Sequence, residues 1–170
     1  IVLGRGYAWL DTGTIDSLCK ISFKNFESNP MSYAKHFYIM DSNNKYSEVF
    51  EIEVPSTVTT IGDYVFYGFE NLININISNS VTCIGTSSFD GCLNLASIEI
   101  SNSLESIGDY AFYECVSLNH IIIPKSVTTI GIWAFYDCTN LTISCESSSR
   151  PSGWSSSWNP SHCPVVWGYK

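Results

Sequence analysis

The side chains that could carry out chemistry in this sequence are seven cysteines, three histidines and sixteen carboxylates. His36, His120 and His162 lie far apart in the chain, so they predict neither a metal site nor a base for a nucleophile. Carboxylates such as Asp63 and Asp109 recur at repeated positions, which are usually solvated. The chain has no G-x-S-x-G, P-loop, H-E-x-x-H or C-x-x-C pattern. We predict no catalytic residue, no metal, no cofactor and no enzymatic activity.

Three of the cysteines, Cys92, Cys115 and Cys138, are spaced 23 residues apart. If residues at this spacing stack like neighbouring strands, they lie about 4.8 Å apart, which is longer than the Cβ separation of a disulfide. We therefore expect buried free thiols that pack as small apolar side chains. Cys145 and Cys163 bracket the C-terminal segment, where a disulfide would fix a loose flap. Both a Cys145–Cys163 bridge and two free thiols fit the sequence.

The composition is that of a folded acidic chain of 170 residues. It is 45% hydrophobic, 14% aromatic and 14% charged, which is apolar enough for a substantial core. The net charge is -8 and the 8 Lys and Arg residues are scattered, so we expect no nucleic-acid partner. No apolar run approaches the ~18 residues that span a bilayer and no signal-peptide pattern occurs, so we expect no membrane insertion.

A repeat of 23 residues organises the middle of the chain. Four apolar columns share this period: the Ile-Gly pairs that begin at Ile61, Ile84, Ile107 and Ile130, then Phe66, Phe89, Phe112 and Phe135, then Leu72, Leu95, Leu118 and Leu141, and finally Val58, Val81, Leu104 and Val127. Agreement among four columns excludes chance and predicts a stack of similar units. We expect the phenylalanine column to run through the core.

Each unit contains one predicted strand. Residues 72–77, 95–100 and 118–123 alternate apolar and polar side chains, and a partial unit with a strand near residues 49–54 precedes them. Strands one period apart must pair in parallel, because a single unit cannot bury its apolar side. Segments such as residues 109–115 lack the alternation and predict one or two helical or 3-10 turns. The repeated glycines are expected to supply a turn conformation.

The unit reads V-x-x-I-G-x-x-x-F-x-x-C-x-x-L-x-x-I-x-I and resembles the BspA-type leucine-rich repeat of bacterial and protist surface proteins. The resemblance covers about residues 48–146, a partial unit plus four units. It departs from the pattern where Phe69 replaces the repeated cysteine and where residues 141–145 lack one position. The resemblance implies an α/β repeat fold, a right-handed leucine-rich-repeat solenoid with a parallel β-sheet on one side and short helical or 3-10 turns on the other. It also implies a secreted or cell-surface location and adhesion to host or matrix proteins.

Two segments flank the repeats and are expected to cap them. Residues 1–47 lack the 23-residue register, and they contain a helix-compatible run at residues 16–23 and a second short helix or strand within residues 31–40. Residues 147–170 are rich in Ser and Trp. Trp154 and Trp158 either seal the apolar end of the stack or contact a carbohydrate or peptide, and we favour the seal.

The outward residues of the predicted strands form a stripe that packing does not constrain. Its members are Glu51, Glu53, Asn74, Asn76, Ser97, Glu99, His120 and Ile122. The stripe varies from unit to unit while the core columns stay constant, which fits a scaffold that displays a recognition surface. We predict a non-enzymatic protein-binding or adhesion module whose acidic stripe favours basic partners, with Ile122 as an apolar anchor. A passive structural spacer in a multidomain surface protein fits the same pattern.

Overall fold

The computed structural model describes residues 2–4, 7–10, 15–29, 36–40 and 45–170. In chain order its elements are β1 (Val2–Gly4), β2 (Tyr7–Leu10), α1 (Ile15–Cys19), a 3-10 turn (Phe26–Ser28), β3 (His36–Met40), β4 (Tyr46–Glu48), β5 (Glu51–Glu53), β6 (Thr60–Ile61), β7 (Asn74–Asn76), β8 (Cys83–Ile84), β9 (Ser97–Glu99), β10 (Ser106–Ile107), β11 (His120–Ile123), β12 (Thr129–Ile130), β13 (Thr142–Cys145) and β14 (Val165–Trp167).

The main sheet has six parallel strands in the order β14-β13-β11-β9-β7-β5. Its register pairs residues one repeat apart, so Ile75 lies opposite Ile52 on one side and Ile98 on the other. The isoleucines are buried and their neighbours along each strand face outward, as the period-two pattern predicted. The observed strands lie inside the predicted ones, and the prediction of parallel pairing is confirmed.

A second parallel sheet consists of the two-residue strands β12-β10-β8-β6, which the sequence analysis did not predict. Each of these strands ends at the isoleucine of an Ile-Gly pair, and Ile61, Ile84, Ile107 and Ile130 are all buried. The register again pairs residues one repeat apart, with Ile84 opposite Ile107. Two sheets therefore pack their apolar columns into one core, because each turn of the chain contributes a strand to both.

The side of the stack between β6 and β7, and its equivalent in later turns, is built from hydrogen-bonded turns instead of helices. The N–H groups of Tyr64, Phe66 and Gly68 donate to the carbonyls of Thr86, Ser88 and Asp90 at 2.9, 2.8 and 2.7 Å. These groups are consequently committed to the next turn and are not available for a helical ladder. Tyr64 and Gly68 also have φ of 57° and 68°, which interrupts any helix. The expected α/β solenoid with helical turns is thus corrected to a parallel β-solenoid, since residues 45–146 contain no helix.

The glycine of each Ile-Gly pair is required by close approach, and the expectation of a special turn conformation was wrong. Gly85 and Gly108 are not among the residues with positive φ. A Cβ atom on Gly108 would lie 2.6 Å from the backbone nitrogen of Thr86 and 2.7 Å from the carbonyl carbon of Gly85. Any side chain at this column would therefore push two turns apart.

The core is a continuous column of stacked phenylalanine rings. Phe66, Phe89, Phe112 and Phe135 are each 0% exposed, and the centroids of successive rings lie 5.2, 5.2 and 5.4 Å apart. Offset stacking at this spacing adds to the free energy that each ring gains by leaving water. The predicted path of this column through the core is confirmed.

The N-terminal segment contains a separate four-stranded sheet in the order β1-β2-β3-β4 and the short helix α1. Leu18 and Cys19 of α1 are buried in the solenoid core, and the Cys19 carbonyl accepts a 3.1 Å hydrogen bond from the N–H of Gly62. The helix covers only the beginning of the predicted run at residues 16–23. The strand β3 lies in the second predicted region, of which residues 31–35 fall outside the described residues. Neither of the helical segments that the structure describes is long and apolar enough to cross a membrane.

The C-terminal segment adds a further turn to the stack, although its sequence lacks the repeat. The N–H of Ser155 donates to the Ile130 carbonyl at 2.8 Å, and the N–H of Trp133 donates to the Ser157 carbonyl at 2.8 Å. Strand β14 then pairs in parallel with β13. The backbone ladder of the repeats thereby continues through residues 154–167.

Candidate functional site

The predicted stripe lies on the outward face of the main sheet, which we call the strand face. One column of paired residues runs Glu51, Asn74, Ser97, His120 and Thr142, and a parallel column two residues further along contains Glu53, Asn76, Glu99, Ile122 and Ser144. All eight predicted site residues are exposed or half-buried. The structure therefore brings them onto one surface, with side chains of successive turns one strand spacing apart.

The first turns of the strand face are flat and satisfy their own hydrogen bonds. The amide of Asn74 donates to the Glu51 carboxylate at 2.9 Å, and the hydroxyl of Ser97 donates to the Asn74 oxygen at 2.6 Å. These side chains form a polar ladder across β5, β7 and β9. Since each group already has a partner, this part of the face needs no ligand to hold its side chains in place.

The last turns of the strand face form a cleft of about 480 Å³. We call it the strand-face cleft, and the residues that shape it are Ser97, Glu99, Asn102, Asn119, His120, Ile122, Glu146 and Tyr169. Four of the eight predicted stripe residues thus line one depression. Four further lining residues were not predicted: Asn102, Glu146 and Tyr169 lie outside the predicted strands, and Asn119 lies at the start of one.

Tyr169 forms a wall of the cleft because the chain turns back after β14. Gly168 has a φ of 70° and nothing within 4 Å of its Cβ position, which is the left-handed conformation that glycine adopts without strain. The N–H of Tyr169 then donates to the Cys145 carbonyl at 2.9 Å. The Tyr169 ring meets the edge of His120 with centroids 6.3 Å apart. This contact converts the flat strand face into a cleft.

The cleft combines negative charge with exposed apolar surface. Glu99 and Glu146 supply carboxylates, and the Glu146 carboxylate accepts a 2.9 Å hydrogen bond from the N–H of Lys125, which fixes its position. Ile122 is 39% exposed and Tyr169 is 40% exposed. This arrangement can hold a basic side chain beside an apolar one, in the manner of protein recognition sites.

His120 and Ser144 form a hydrogen-bonded pair of the kind that could begin a hydrolytic site. The His120 Nε2 atom lies 2.9 Å from the Ser144 hydroxyl oxygen. Ser144 is, however, only 3% exposed, so its hydroxyl is covered and offers no oxygen to a substrate. The contact instead orients the imidazole ring, which Tyr169 covers from the side.

Trp154 and Trp158 do not form a ligand surface, which corrects the alternative site drawn from the sequence. They are 3% and 6% exposed. The Trp154 ring N–H donates to the Val127 carbonyl at 3.1 Å, and the Trp158 ring meets Phe135 edge-on at 5.8 Å. Rings that lie against the last core phenylalanine seal the end of the stack, because a sugar or peptide cannot reach their faces.

The suggested Cys145–Cys163 bridge is not formed, and both thiols are free and buried. Cys163 instead extends the repeated cysteine column, with its Sγ 3.4 Å from the Cys138 carbonyl oxygen. Cys145 lies elsewhere, at the end of β13 in the main sheet. Burial raises the pKa of Cys138 to about 12 and that of Cys145 to about 12, so both remain protonated thiols at neutral pH.

The carboxylates of Asp63 and Asp109 have a structural role, in contrast to the solvated face that the sequence predicted. Asp63 accepts a 2.7 Å hydrogen bond from the N–H of Thr86, and Asp109 accepts a 2.8 Å hydrogen bond from the N–H of Ile132. Both bonds join one turn to the next. They lie beside an open groove of about 510 Å³ along the glycine column, which bare backbone creates.

A set of aromatic rings on the turns between β6 and β7, and on the equivalent later turns, was also missed. We call this surface the turn face, and its rings are Tyr64, Tyr67, Tyr110, Tyr113, Trp133 and Tyr136. Tyr113 and Tyr136 stack with centroids 5.0 Å apart, one repeat from each other. The signal was present in the sequence, since aromatic residues recur there with the period of 23. Within the described ranges, no three His, Cys, Asp or Glu side chains cluster closely enough to hold a metal ion.

Comparison with solved structures finds the same fold in bacterial leucine-rich repeat proteins. A leucine-rich repeat protein from Bacteroides ovatus is 44% identical over 56% of this chain and 24% of its own, with a TM-score of 0.53. A leucine-rich repeat protein from T. pallidum is 27% identical over 63% of this chain and 67% of its own, with a TM-score of 0.50. The pneumococcal vaccine antigen PcpA, 22% identical with a TM-score of 0.58, covers 71% of this chain and 28% of its own and shows the fold alone.

This chain spans about a quarter of the length of the Bacteroides ovatus protein. No curated protein matches it. A family model for the BspA type leucine rich repeat region matches residues 37–150 with 6 copies, a longer stretch than residues 48–146 in which the sequence resemblance was visible. Because the match covers most of the chain and agrees with the observed solenoid, the chain belongs to the BspA-type leucine-rich repeat family.

Proposed function

We propose that this chain is a non-enzymatic protein-binding module of a secreted or cell-surface protein, and that its partner contacts the strand-face cleft. The proposed partner is a host or matrix protein that presents a basic side chain next to an apolar one. The leucine-rich repeat fold of bacterial surface proteins is compatible with such a scaffold.

The observation that carries the proposal is the wall that Tyr169 adds to the strand face. Ile122 and Tyr169 expose 39% and 40% of their surface within one cleft, and aromatic and apolar anchors in a depression are typical of binding hot spots. Glu99 and Glu146 add negative charge at the same place. Electrostatic complementarity of this kind raises the rate of association and selects basic partners.

The core explains how the cleft keeps its shape. The strands that carry Ser97, Glu99, His120 and Ile122 are joined by backbone pairing to their neighbours on both sides. Their inward side chains, including Ile98 and Ile121, are buried in the common core. A ligand therefore meets side chains whose spacing is already fixed, which reduces the entropy lost on binding.

A passive spacer is the second candidate, and the flat turns of the strand face favour it. There Asn74 is hydrogen-bonded to Glu51 on one side and to Ser97 on the other, so these side chains display polar surface without an open recognition group. A module that only separated other domains would need no more than this. The spacer and the binding module differ in one respect, namely whether the cleft has a partner.

The test is binding of purified extracellular-matrix proteins and glycans to the immobilised chain. The cleft variant combines Glu99→Gln, Ile122→Ser and Tyr169→Ala, and a matched control combines Glu53→Gln with Asn76→Ala on the flat turns of the same sheet. We expect at least one matrix protein to bind, the cleft variant to weaken it at least tenfold, and the control to stay within twofold. Melting curves must show that all three proteins are folded. Absence of any bound protein supports the spacer, and unchanged binding by the cleft variant places the site elsewhere.

A further inference from the structure

The turn face carries a column of rings that is interrupted once. Its order along the stack is Phe26, Tyr67, Asp90, Tyr113 and Tyr136. Phe26 and Tyr67 stack with centroids 5.6 Å apart, and Tyr113 and Tyr136 stack with centroids 5.0 Å apart. Each ring beside the interruption is therefore supported from its far side by another ring.

The interruption is a missing aromatic ring, because the backbone of the stack continues through it. The N–H of Gly68 donates to the Asp90 carbonyl at 2.7 Å, and the N–H of Gly91 donates to the Tyr113 carbonyl at 2.9 Å. Tyr67 and Tyr113 are consequently held two turns apart, roughly 10 Å at the usual strand spacing. That distance leaves one ring position between them, and Asp90 is too short to fill it. Tyr67, Asp90 and Tyr113 are all half-buried, so each side chain keeps part of its surface accessible.

The vacant position is negatively charged. Asp90 occupies it, and the electrostatic field of Glu114 acts on Asp90 from the next turn. Loss of hydration raises the pKa of Asp90 to about 7, helped by Glu114 and opposed by a hydrogen bond with Ser87. The pKa values of Tyr67 and Tyr113 are raised first by burial and then by these carboxylates. Among the described residues, no lysine or arginine pairs with Asp90 or Glu114.

We propose that this gap binds the guanidinium group of an arginine side chain from a partner protein, stacked between Tyr67 and Tyr113 with its N–H groups directed at Asp90 and Glu114. A guanidinium is planar, so it fits the position of the absent ring. It is also cationic, so it gains from two aromatic faces within about 6 Å and from hydrogen bonds to carboxylates. A lysine ammonium matches the charge but not the flat shape.

Binding also relieves a cost in the free protein. Asp90 is partly desolvated and lies near a second carboxylate, so its ionised form is unfavourable without a counter-ion. An arginine placed between the two rings supplies that counter-ion. The site lies on the turn face, away from the strand-face cleft, and it does not depend on the function proposed for that cleft.

The test is an NMR titration of the intact chain with N-acetyl-arginine amide at pH 8, where a carboxyl group with a pKa of about 7 is mostly ionised. We expect millimolar binding, ring-current shifts of the arginine δ-methylene protons, and shifts of the Tyr67 and Tyr113 ring signals. N-acetyl-citrulline amide has nearly the same shape without the charge and should bind at least tenfold more weakly. N-acetyl-lysine amide should bind at least fivefold more weakly.

Two substitutions separate the shape of the gap from its charge. Asp90→Tyr completes the ring column and should abolish binding, and Asp90→Asn keeps the gap without the charge and should weaken binding at least fivefold. Asp137→Asn is the matched control, because it removes a carboxylate beside Tyr136, where the column has no gap, and it should leave binding within twofold. Melting curves identify any variant that fails to fold. Equal binding of the citrulline or lysine amide, or binding by folded Asp90→Tyr equal to that of the native chain, would overturn the proposal.

Discussion

The regular turns and the terminal turn share one backbone but are filled by different side chains. In the regular turns Phe112 stacks between two phenylalanines, and Gly108 lets neighbouring turns approach. In the terminal turn the same ladder of N–H to carbonyl bonds continues at Ser155 and Ser157 without the motif. Trp158 there covers the end of the phenylalanine column. The phenylalanines and glycines of the repeat therefore fill the regular turns, whereas large indole rings close the end of the stack.

The regular and terminal turns also differ in the candidate binding surfaces that they form. The core columns are uniform because every turn packs against similar neighbours, so they do not form a surface specific for a partner. The strand-face cleft exists because the terminal turn departs from the repeat and places Tyr169 beside His120. The gap on the turn face exists because Asp90 departs from an aromatic column. Both candidate sites thus lie where the residue pattern of the repeat is interrupted.

Removal of a core aromatic ring should lower the free energy of unfolding more in a regular turn than in the terminal turn, and this is the largest difference that we expect. Phe112→Ala leaves a cavity between Phe89 and Phe135, and we expect a loss of ~3–5 kcal/mol in the free energy of unfolding. Trp158→Ala affects a turn with one neighbour, so the expected loss is about half as large or less. Chemical denaturation measures both values. A near-neutral Phe112→Ala would contradict the packing of the column.

Glycine substitutions should separate close approach from backbone conformation. Gly108→Ala places a Cβ atom 2.6 Å from the Thr86 nitrogen, so we expect a loss of ~2–3 kcal/mol from overpacking. Gly168→Ala meets nothing within 4 Å and has only its φ of 70° to strain, which costs about 1 kcal/mol. Equal losses in denaturation experiments would show that turn spacing does not depend on the glycine column.

The carboxyl group of Asp90 should make stability depend on pH within the regular turns. Its pKa in the folded state is about 7, raised above the ordinary value of 3.8, so the folded chain binds more protons and stability falls as pH rises through this window. Asp90→Asn should therefore raise the melting temperature most above pH 7, and the gain should shrink as the pH is lowered towards 4. A gain of constant size across this range would exclude Asp90 as the titrating group.

The rate of thiol labelling should differ between the regular turns and the terminal turn. Burial raises the pKa of Cys115 well above its ordinary value, and this residue is 0% exposed in the middle of the stack. Cys163 is 7% exposed in the terminal turn, and Cys83 is half-buried. In native buffer we expect Cys83 to react fastest, Cys163 next and Cys115 last, as read by mass spectrometry. Rapid labelling of Cys115 in the folded chain would refute its burial.

The sequence alone predicted the features that recur in every turn. Period and alternation predicted the parallel main sheet, the buried phenylalanine column and the strand-face stripe, because like residues at a fixed spacing can only stack. The predicted helical turns were wrong, since alternate N–H groups of the non-alternating segments donate to the next turn. Left-handed residues such as Tyr64 and Tyr110, which are not glycine, gave no local signal of this.

The terminal turn and the cleft could not be derived from the sequence for a related reason. Trp158 and Cys163 fill positions equivalent to those of the repeats, but they do so with different spacing and residue types. Tyr169 reaches His120 only because the chain reverses at Gly168. Each of these contacts depends on a stretch of backbone outside the 23-residue repeat. The other contacts were predictable because they recur with that repeat.

Hydroxyl-radical footprinting of the chain with a bound matrix protein tests most directly whether a partner covers the strand-face cleft. Four side chains with matched exposure serve as reporters: Ile122 at 39%, and Tyr169, Ile73 and Trp133 at 40% each. Ile122 and Tyr169 line the cleft, whereas Ile73 and Trp133 lie outside it. We predict that binding slows oxidation of Ile122 and Tyr169 at least threefold and leaves Ile73 and Trp133 unchanged. Protection of Trp133 or Ile73, with Ile122 and Tyr169 oxidised at their free rates, would contradict the account.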